Sequence, residues 1–390
     1  MHVRERVPAR QPNDIAVTGL GLVTPAGPDV ESTWDGLLDG RSLAARDARL
    51  TGLPVDFSCR VAGFDGPAAP GRTAERCVRL GLAAAREAVA DAGWAPGPAG
   101  ASSGWGGARV ALVLGHGGGA TGSAEASNTL AEEVAGALGV MGPGFLTSSG
   151  CSSGATAIGV ARDLLRAGCC DVVVTGGSES ARHPLAAAAF SRMGALSSRR
   201  HDPAGASRPF DADRDGFVLG EGAGVLVLER LADARARRAP VRAVLAGYGA
   251  ASGSRRPEGL ERAVRAALGD AGLGPDDIDH VNADGAGTPL DDLTEARVLR
   301  RLFRGTPPPV TAVKSVLGHA IGGAGAVEAV CTVLTLCHQA IPPTANLDRL
   351  DPDIDLDVVT KSPRRRPVRA ALSHSSGFGG QSAVLLFRTP

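Results

Sequence analysis

The sequence is almost without lysine: among its 41 basic residues, only Lys314 and Lys361 are not arginine. It also lacks an excess of either charge, because 41 acidic residues balance the basic ones. Domains that bind nucleic acid usually carry a basic excess, so this balance gives no support for nucleic acid as a partner. An isolated lysine in an arginine-rich chain is unusual, and Lys314 therefore becomes a candidate for a specific role.

Long apolar runs and paired cysteines are also missing. No run of eighteen apolar residues occurs, so the sequence predicts no membrane-spanning segment. The first thirteen residues are charged and lack the apolar centre of a secretory signal. The seven cysteines are odd in number and lack zinc-like spacing, which favours neither a disulfide framework nor a metal site. We therefore expect a cytoplasmic protein that contacts no membrane and holds no metal.

The 390 residues are enough for two packed halves, and β-branched segments alternate with amphipathic ones, which predicts α/β architecture. The predicted strands are Ile15–Val17, Val110–Leu114, Asp171–Thr175, Gly224–Glu229, Val241–Gly249, His280–Ala283, Val310–Val313 and Ala383–Phe387. The predicted helices include Ala74–Ala92, Ala155–Ala167, Leu260–Ala271, Thr294–Phe303 and Ala324–Ala340. A basic stretch, Arg230–Arg238, marks a join between residues 14–240 and 241–390. Each part has a strand, a glycine-rich turn and an apolar helix, which indicates internal duplication.

Cys151 stands out among the cysteines because small residues surround it. It lies between Gly150 and a helix that is predicted to begin near Ala155, and Gly154 follows closely. The positive end of a helix dipole lowers a thiol pKa and favours the nucleophilic thiolate. An isolated cysteine is usually a buried structural residue, but a core position would be surrounded by bulkier neighbours. The pattern therefore indicates a nucleophile.

The same region also fits a serine esterase. Ser152 lies in a Gly-x-Ser-x-Gly pattern, Asp284 and His319 follow in the order of such enzymes, and His116 begins a His-Gly-Gly-Gly segment. The pattern is short and occurs easily by chance in a chain with 54 glycines. We keep the Ser152 esterase as a distant alternative.

Several longer motifs occur in one order along the chain. They are Gly150-Cys151-Ser152-Ser153-Gly154-Ala155, Arg208-Pro209-Phe210-Asp211, Asp213-Arg214-Asp215-Gly216-Phe217, Gly220-Glu221-Gly222-Ala223-Gly224, Lys314-Ser315, Gly318-His319 and Gly377-Phe378-Gly379-Gly380. From about Ile15 to Phe387 the sequence resembles the β-ketoacyl synthases of the thiolase superfamily. Its last motif is most similar to type II polyketide ketosynthases. The resemblance implies a duplicated, five-layered αβαβα thiolase fold, a dimer, and acyl substrates delivered on the phosphopantetheine of acyl carrier protein, with no cofactor of its own.

The resemblance also assigns roles to residues. Cys151 would accept the acyl group, and the N–H groups of Cys151 and Phe378 would form an oxyanion hole. Phe378, in the loop with Gly377 and Gly379, would gate the acyl pocket. His319 would contact the thioester, a Lys314–Glu295 ion pair would position His319, and Thr288 would bind pantetheine.

One catalytic position departs from the family pattern. The family has a histidine where this chain has Asp284, and a threonine where it has Ala286. A carboxylate accepts hydrogen bonds but does not donate them, so it cannot stabilise the enolate formed when malonyl thioesters lose carbon dioxide. We expect an ionised Asp284 that orients and charges His319 in a Cys-His-Asp arrangement.

Besides the distant Ser152 esterase, two functions remain open from the sequence. An acyltransferase that loads Cys151, with or without decarboxylative condensation, comes first. An inactive partner subunit resembling a chain-length factor comes second, because such subunits share the segment around Asp284, although they usually lack the cysteine. The partner in the dimer is then a second copy or a homologous ketosynthase or chain-length factor.

Two further departures lie near the acyl pocket. The segments 119–140 and 251–259 are short for the family. His374 and Ser376 replace an asparagine and a phenylalanine, and alternation along a strand places positions 374, 376 and 378 on one face. His374 is therefore a candidate to replace the imidazole missing at Asp284, although an ordinary core histidine is the commoner case.

Overall fold

The computed structural model describes residues 14–64, 75–95, 105, 108–117, 124–253, 256–304 and 307–390, without the side chains of 124–128 and 256. The helices, α1 to α10 in order, are Val30–Asp39, Arg76–Asp91, Ala124–Leu138, Ser153–Arg166, Pro184–Arg192, Leu231–Ala236, Arg256–Ala271, Pro289–Leu302, Lys314–Leu317 and Ala324–His338. The strands, β1 to β14 in order, are Ile15–Val23, Ala44–Arg46, Phe57–Cys59, Val110–Gly115, Gly144–Thr147, Val172–Ser180, Glu221–Arg230, Ala243–Ser252, His280–Asn282, Val310–Thr311, Ala340–Ile341, Arg364–Arg365, Ala370–Ser376 and Gln381–Arg388.

Ten of these strands form one sheet, in the order β10-β9-β13-β14-β8-β1-β7-β6-β4-β5. The order is symmetric about the contact between β8 and β1. In the first half β1 pairs antiparallel with β7, β7 antiparallel with β6, and β6 and β5 pair parallel with β4. The second half repeats this arrangement: β8 pairs antiparallel with β14, β14 antiparallel with β13, and β13 and β10 pair parallel with β9. The predicted duplication is therefore present in the strand topology.

The two halves meet at their equivalent elements. Residues 15–17 of β1 pair antiparallel with residues 243–245 of β8. The helices α4 and α10, which occupy equivalent places in the two halves, pack against each other. Gly154 permits this contact, because a Cβ there would lie 2.8 Å from the backbone nitrogen of Ala326. One buried apolar cluster includes residues of both helices and of both central strands.

The helix α10 is apolar on nearly all its faces, as expected for a helix buried on all sides. Together with the preceding turn, the segment Ile321–His338 is long and apolar enough to cross a membrane by length and composition. However, 83% of this segment is buried inside the protein. It is the central helix of the second half, and its apolar character is explained by its position in the core.

Each predicted strand overlaps an observed one, and each predicted helix begins and ends within five residues of an observed helix. The strand β13 is absent from the predicted strands, apart from the alternation assumed for positions 374 to 378, and it ends at Ser376. Its sequence, Ala-Ala-Leu-Ser-His-Ser-Ser, has no β-branched residue, so it lacks the usual local preference for a strand. It forms because it lies between β9 and β14 in the sheet. This strand carries His374 and Ser376 to the site described below.

Candidate active site

Cys151 lies at a sharp turn between the edge strand β5 and the helix α4. Gly150 has a φ of 63°, in the left-handed region that glycine enters without strain. The turn places buried Cys151 just before Ser152, the N-cap residue of α4. The loop after β13 packs directly on this turn, since a Cβ at Gly377 would lie 2.7 Å from the Ser149 carbonyl oxygen and 3.6 Å from the Cys151 nitrogen. The structure therefore brings the predicted nucleophile and the predicted gate loop together.

A small cavity beside Cys151 collects most of the predicted site residues. It is bordered by side chains from both halves of the chain: Cys151, Phe217, Asp284, Ala286, Thr288, Asp291, His319, Ser376 and Phe378. Thr288 is at the N-cap position of α8, and its hydroxyl donates to Asp291 at 2.8 Å. Phe378 is 39% exposed, and its ring packs against those of Phe190 and Phe217. An aromatic side chain at the mouth of the cavity suits a gate.

His319 is buried at this cavity, and its ring meets that of Phe217 edge-on at 5.1 Å between centroids. Its backbone is fixed, because its N–H donates to the Val218 carbonyl at 2.8 Å. Among the described residues, its Nδ1 atom has no hydrogen-bond partner. Burial first, and then the Lys314 ammonium, lower the pKa of His319 to about 3. The imidazole is therefore neutral at physiological pH, and the expectation that Asp284 charges it is wrong.

Asp284 instead binds Lys314. The Lys314 ammonium donates to Oδ1 of Asp284 at 2.8 Å, to the Asp284 carbonyl at 2.7 Å and to Oε1 of Glu328 at 2.5 Å. An ammonium has three donors, so these contacts use all of them. Lys314 thus holds the backbone and the side chain of Asp284 in one place at the edge of the cavity.

The charges of this buried cluster follow from the shared ammonium. Burial opposes the ionisation of Asp284, but the Lys314 ammonium and, after it, His374 keep its pKa below the ordinary value. Burial raises the pKa of Glu328 to about 8, and Lys314 only partly offsets this. Asp284 is therefore the carboxylate that neutralises Lys314 at neutral pH. The lowered pKa of Asp284 agrees with the ionised state predicted for it from the sequence.

The predicted ion pair between Lys314 and Glu295 is wrong. The second acidic partner of Lys314 is Glu328, on α10, whereas Glu295, on α8, accepts N–H groups from Asp284 and Gly285, both at 2.9 Å. Sequence reasoning missed Glu328, although there was a sign of it. It is the one acidic residue in an otherwise apolar helix, and a buried acid needs a partner.

Glu295 has a third contact, with His374. Nδ1 of His374 lies 2.5 Å from Oε1 of Glu295, and Nε2 lies 2.9 Å from Oγ of Ser376. Burial opposes the charging of His374, but Glu295 and Asp284 raise its pKa above the ordinary value. His374 borders a second cavity, which adjoins that of Cys151, and Ser376 borders both. The two side chains share one face of β13, as the alternation predicted.

The residues of the esterase pattern do not come together. The Ser152 hydroxyl is buried and donates to the Ser149 carbonyl at 2.8 Å. His116 binds the Ser178 carbonyl at 3.0 Å and Glu179 at 3.1 Å, within the sheet. Gly117 donates its N–H to Glu179 at 3.0 Å, and Gly118 and Gly119 lie outside the described residues. Asp284 is hydrogen-bonded to Lys314. In the described structure, no series of hydrogen bonds joins Ser152 to a histidine and an acid.

Comparison with known proteins identifies the family of the chain. The model of the β-ketoacyl synthase N-terminal domain matches residues 12–234, and that of the C-terminal domain matches residues 242–348. The chain belongs to the β-ketoacyl synthase family. Family members are transferases that condense acyl groups, and the resemblance predicted from the sequence is confirmed.

Individual relatives cover nearly the whole chain. The tetracenomycin polyketide synthase ketoacyl synthase alpha subunit of Streptomyces glaucescens is 36% identical, over 96% of this chain and 97% of the relative. The 3-oxoacyl-acyl-carrier-protein synthase 2 of Synechocystis is 35% identical, over 96% and 97%. The alignment with the first spans 421 positions, more than the 390 residues of this chain, so that relative has segments that this chain lacks.

Solved structures agree with the topology. The ishigamide ketosynthase/chain length factor superimposes with a TM-score of 0.86 at 33% identity, over 97% of this chain and 99% of the other. A type II polyketide ketosynthase, solved with its acyl-carrier protein, gives 0.88 at 28% identity, over 97% and 100%. The predicted thiolase fold is confirmed, and the protein is placed among the ketosynthases and chain-length factors of polyketide biosynthesis.

Proposed function

We propose that this protein takes an acyl group from acyl carrier protein onto Cys151 and transfers it without decarboxylative condensation. The observation that carries the proposal is the contact between Lys314 and Asp284. It holds an ionised carboxylate at the cavity of Cys151, where the family has a donating imidazole. An ionised carboxylate has no proton to donate to an enolate oxygen.

His319, which borders the same cavity, does not compensate for the loss of the donor at Asp284. His319 is neutral, so it presents one N–H group at most, to a thioester carbonyl or to an enolate. One donor, together with the backbone N–H groups near Cys151, suits the exchange of an acyl group between thiols. Removing one donor from such a site typically slows the reaction by about 10²–10³-fold. We therefore expect loading and transfer to proceed and condensation to be slow.

The partners follow from the relatives. A structural neighbour is solved with its acyl-carrier protein, and another is a ketosynthase/chain length factor. We propose that acyl carrier protein delivers the substrate to Cys151, with Thr288 at the pantetheine side of the cavity. We also propose a dimer, with a second copy or a homologous subunit, that acts in the cytoplasm. Cys151 loading needs no cofactor beyond the phosphopantetheine of the carrier.

A chain-length-factor-like partner subunit is the second candidate. The ishigamide relative favours it, since that structure contains such a subunit. Against it, Cys151 and His319 border one cavity with the aromatic gate, as an acyl-enzyme requires. A purely structural subunit has no need of that combination.

Intact-mass analysis after incubation with acyl-carrier-protein thioesters separates these candidates. The proposed transferase gains the acyl mass on Cys151 and passes it to free carrier protein, with little release of carbon dioxide from malonyl carrier protein. A partner subunit gains no acyl mass. Efficient carbon dioxide release with a two-carbon extension identifies an ordinary condensing enzyme and contradicts the proposal.

A further inference from the structure

A hydrogen-bonded chain of three side chains lies next to the cavity of Cys151. Glu295 is fixed by the backbone N–H groups of Asp284 and Gly285, and its Oε1 atom lies 2.5 Å from Nδ1 of His374. Between a carboxylate and a ring nitrogen this close, Nδ1 carries the proton. The opposite ring nitrogen, Nε2, lies 2.9 Å from Oγ of Ser376.

This connection has the order of an acid, an imidazole and a hydroxyl. A nucleophile within hydrogen-bond reach of a base, with the base oriented by a third group, is the geometric sign of covalent catalysis, and it occurs on unrelated folds. Glu295 and His374 are buried, whereas Ser376 is partly exposed and borders the cavity of Cys151. Acyl transfer through Cys151 alone gives His374 and Ser376 no task.

We propose that Ser376 is a second nucleophile of this protein, with His374 as its base and Glu295 as the positioning residue, and that it hydrolyses acyl thioesters and small carboxylic esters. The inference extends the proposed function, because the acyl group on Cys151 is the nearest thioester. The proposed nucleophilic serine is therefore Ser376, at the end of β13, and not Ser152 of the esterase pattern, at the start of α4.

The reaction has two balanced steps. Oγ of Ser376 bonds to the acyl carbonyl carbon while its proton passes to Nε2 of His374, and the bond from that carbon to the sulfur of Cys151 breaks. His374 then returns the proton to the departing sulfur. Water, deprotonated by the same imidazole, hydrolyses the ester on Ser376 and releases a carboxylic acid, with both side chains restored.

A fluorophosphonate probe tests the nucleophile directly, because it reacts with serines activated by an imidazole. We expect the wild-type protein and Cys151→Ala to gain the probe mass on the peptide that contains Ser376. Ser376→Ala should gain none there, and His374→Asn should react at least about 10²-fold more slowly, the usual effect of losing a general base. Ser373→Ala is the matched control on β13, since the Ser373 hydroxyl is buried and has no hydrogen-bond partner in the described structure. It should react as the wild type does.

A second measurement follows the acyl-enzyme itself. After Cys151 is loaded from an acyl-pantetheine thioester, its acyl mass should disappear at least about tenfold more slowly in Ser376→Ala than in the wild type, as expected for the loss of a nucleophilic route. The proposal is overturned if the wild-type Ser376 peptide stays unlabelled, which needs no variant to fold. It is also overturned if His374→Asn reacts at the wild-type rate. A protein that labels at Ser376 but never loads Cys151 would instead contradict the proposed function.

Discussion

The Lys314 ammonium binds Asp284 twice, at the carboxylate oxygen Oδ1 and at the backbone carbonyl. This double contact explains how the altered residue is accommodated at the active site. The carboxylate that replaces an imidazole neutralises a buried cation, so the substitution leaves no unpaired charge in the core. The same contact occupies Oδ1 of Asp284, while burial keeps the imidazole of His319 neutral, so the expected charged histidine beside Asp284 does not form.

The first prediction concerns acyl loading. Cys151→Ala should abolish the acyl mass gained from acyl carrier protein, because it removes the sulfur that forms the thioester. Ser152→Ala is the matched control, since its hydroxyl is buried against the Ser149 carbonyl, and it should load as the wild type does. Intact mass measures both variants. An acyl adduct that persists on Cys151→Ala would disprove the assignment of the nucleophile.

The elbow at Cys151 was predictable because its determinants are local. Gly150 allows the turn, α4 follows at once, and short motifs carry the family resemblance. The partners of Lys314 and Glu295 were not predictable in this way. Glu328 and His374 lie on α10 and β13, and only the packing of these elements decides which acid meets which cation. Motifs therefore predicted Cys151, His319 and Phe378, whereas the ion pairs could be assigned only from the tertiary structure.

The second prediction concerns the stability of the charge cluster. Burial raises the pKa of Glu328 to about 8 in the folded state from an ordinary value of 4.5. Between these pH values the folded state binds the additional proton. The contribution of Glu328 to the free energy of unfolding therefore falls as the pH rises, by up to about 1.4 kcal/mol per pH unit.

Glu328→Gln provides the comparison, because the amide oxygen still accepts a hydrogen bond from Lys314 but does not titrate. Urea unfolding between about pH 5 and pH 8 should show that the stability difference, wild type minus variant, decreases with pH. Lys314, Asp284 and His374 surround Glu328 and are present in both proteins, so their own titration largely cancels. Parallel stability curves for the two proteins would contradict a raised Glu328 pKa.

The third prediction concerns assembly. The strand β5 is at the end of the ten-stranded sheet, and within the described ranges no strand pairs with its outer side. Phe145 in this strand and Met141 shortly before it are 42% and 82% exposed. An exposed apolar edge strand favours pairing with another chain. We expect a dimer through this edge, and Phe145→Arg should weaken it by placing a charge in the interface.

Sedimentation velocity at micromolar concentration measures the dimer. Leu43→Arg is the control, because it places the same charge at an exposed apolar residue outside β5. The control should sediment as the wild type does, whereas Phe145→Arg should shift toward the monomer. A wild-type protein that is folded and monomeric, alone and with a homologous ketosynthase, would show that the edge is not an interface.

The last prediction restores the missing imidazole. Asp284→His should increase the release of carbon dioxide from malonyl carrier protein by about 10²-fold, the usual value of one donor to a developing oxyanion. Glu328 remains beside Lys314 and neutralises it after the change, since loss of the Asp284 charge favours ionisation of Glu328. Ala286, which borders the same cavity, leaves room beside the new ring.

Asp284→Ala is the matched control, because it removes the negative charge without adding a donor. If the ionised carboxylate merely repels the enolate, both variants should release carbon dioxide faster than the wild type, and to the same extent. If the missing donor limits the reaction, only Asp284→His should do so, while all three proteins still load Cys151. A wild type that already decarboxylates as fast as Asp284→His would mean that another group donates to the enolate. The hydroxyl of Ser376 would then be the first to examine, because it borders the same cavity and is hydrogen-bonded to an imidazole whose pKa Glu295 raises against the effect of burial.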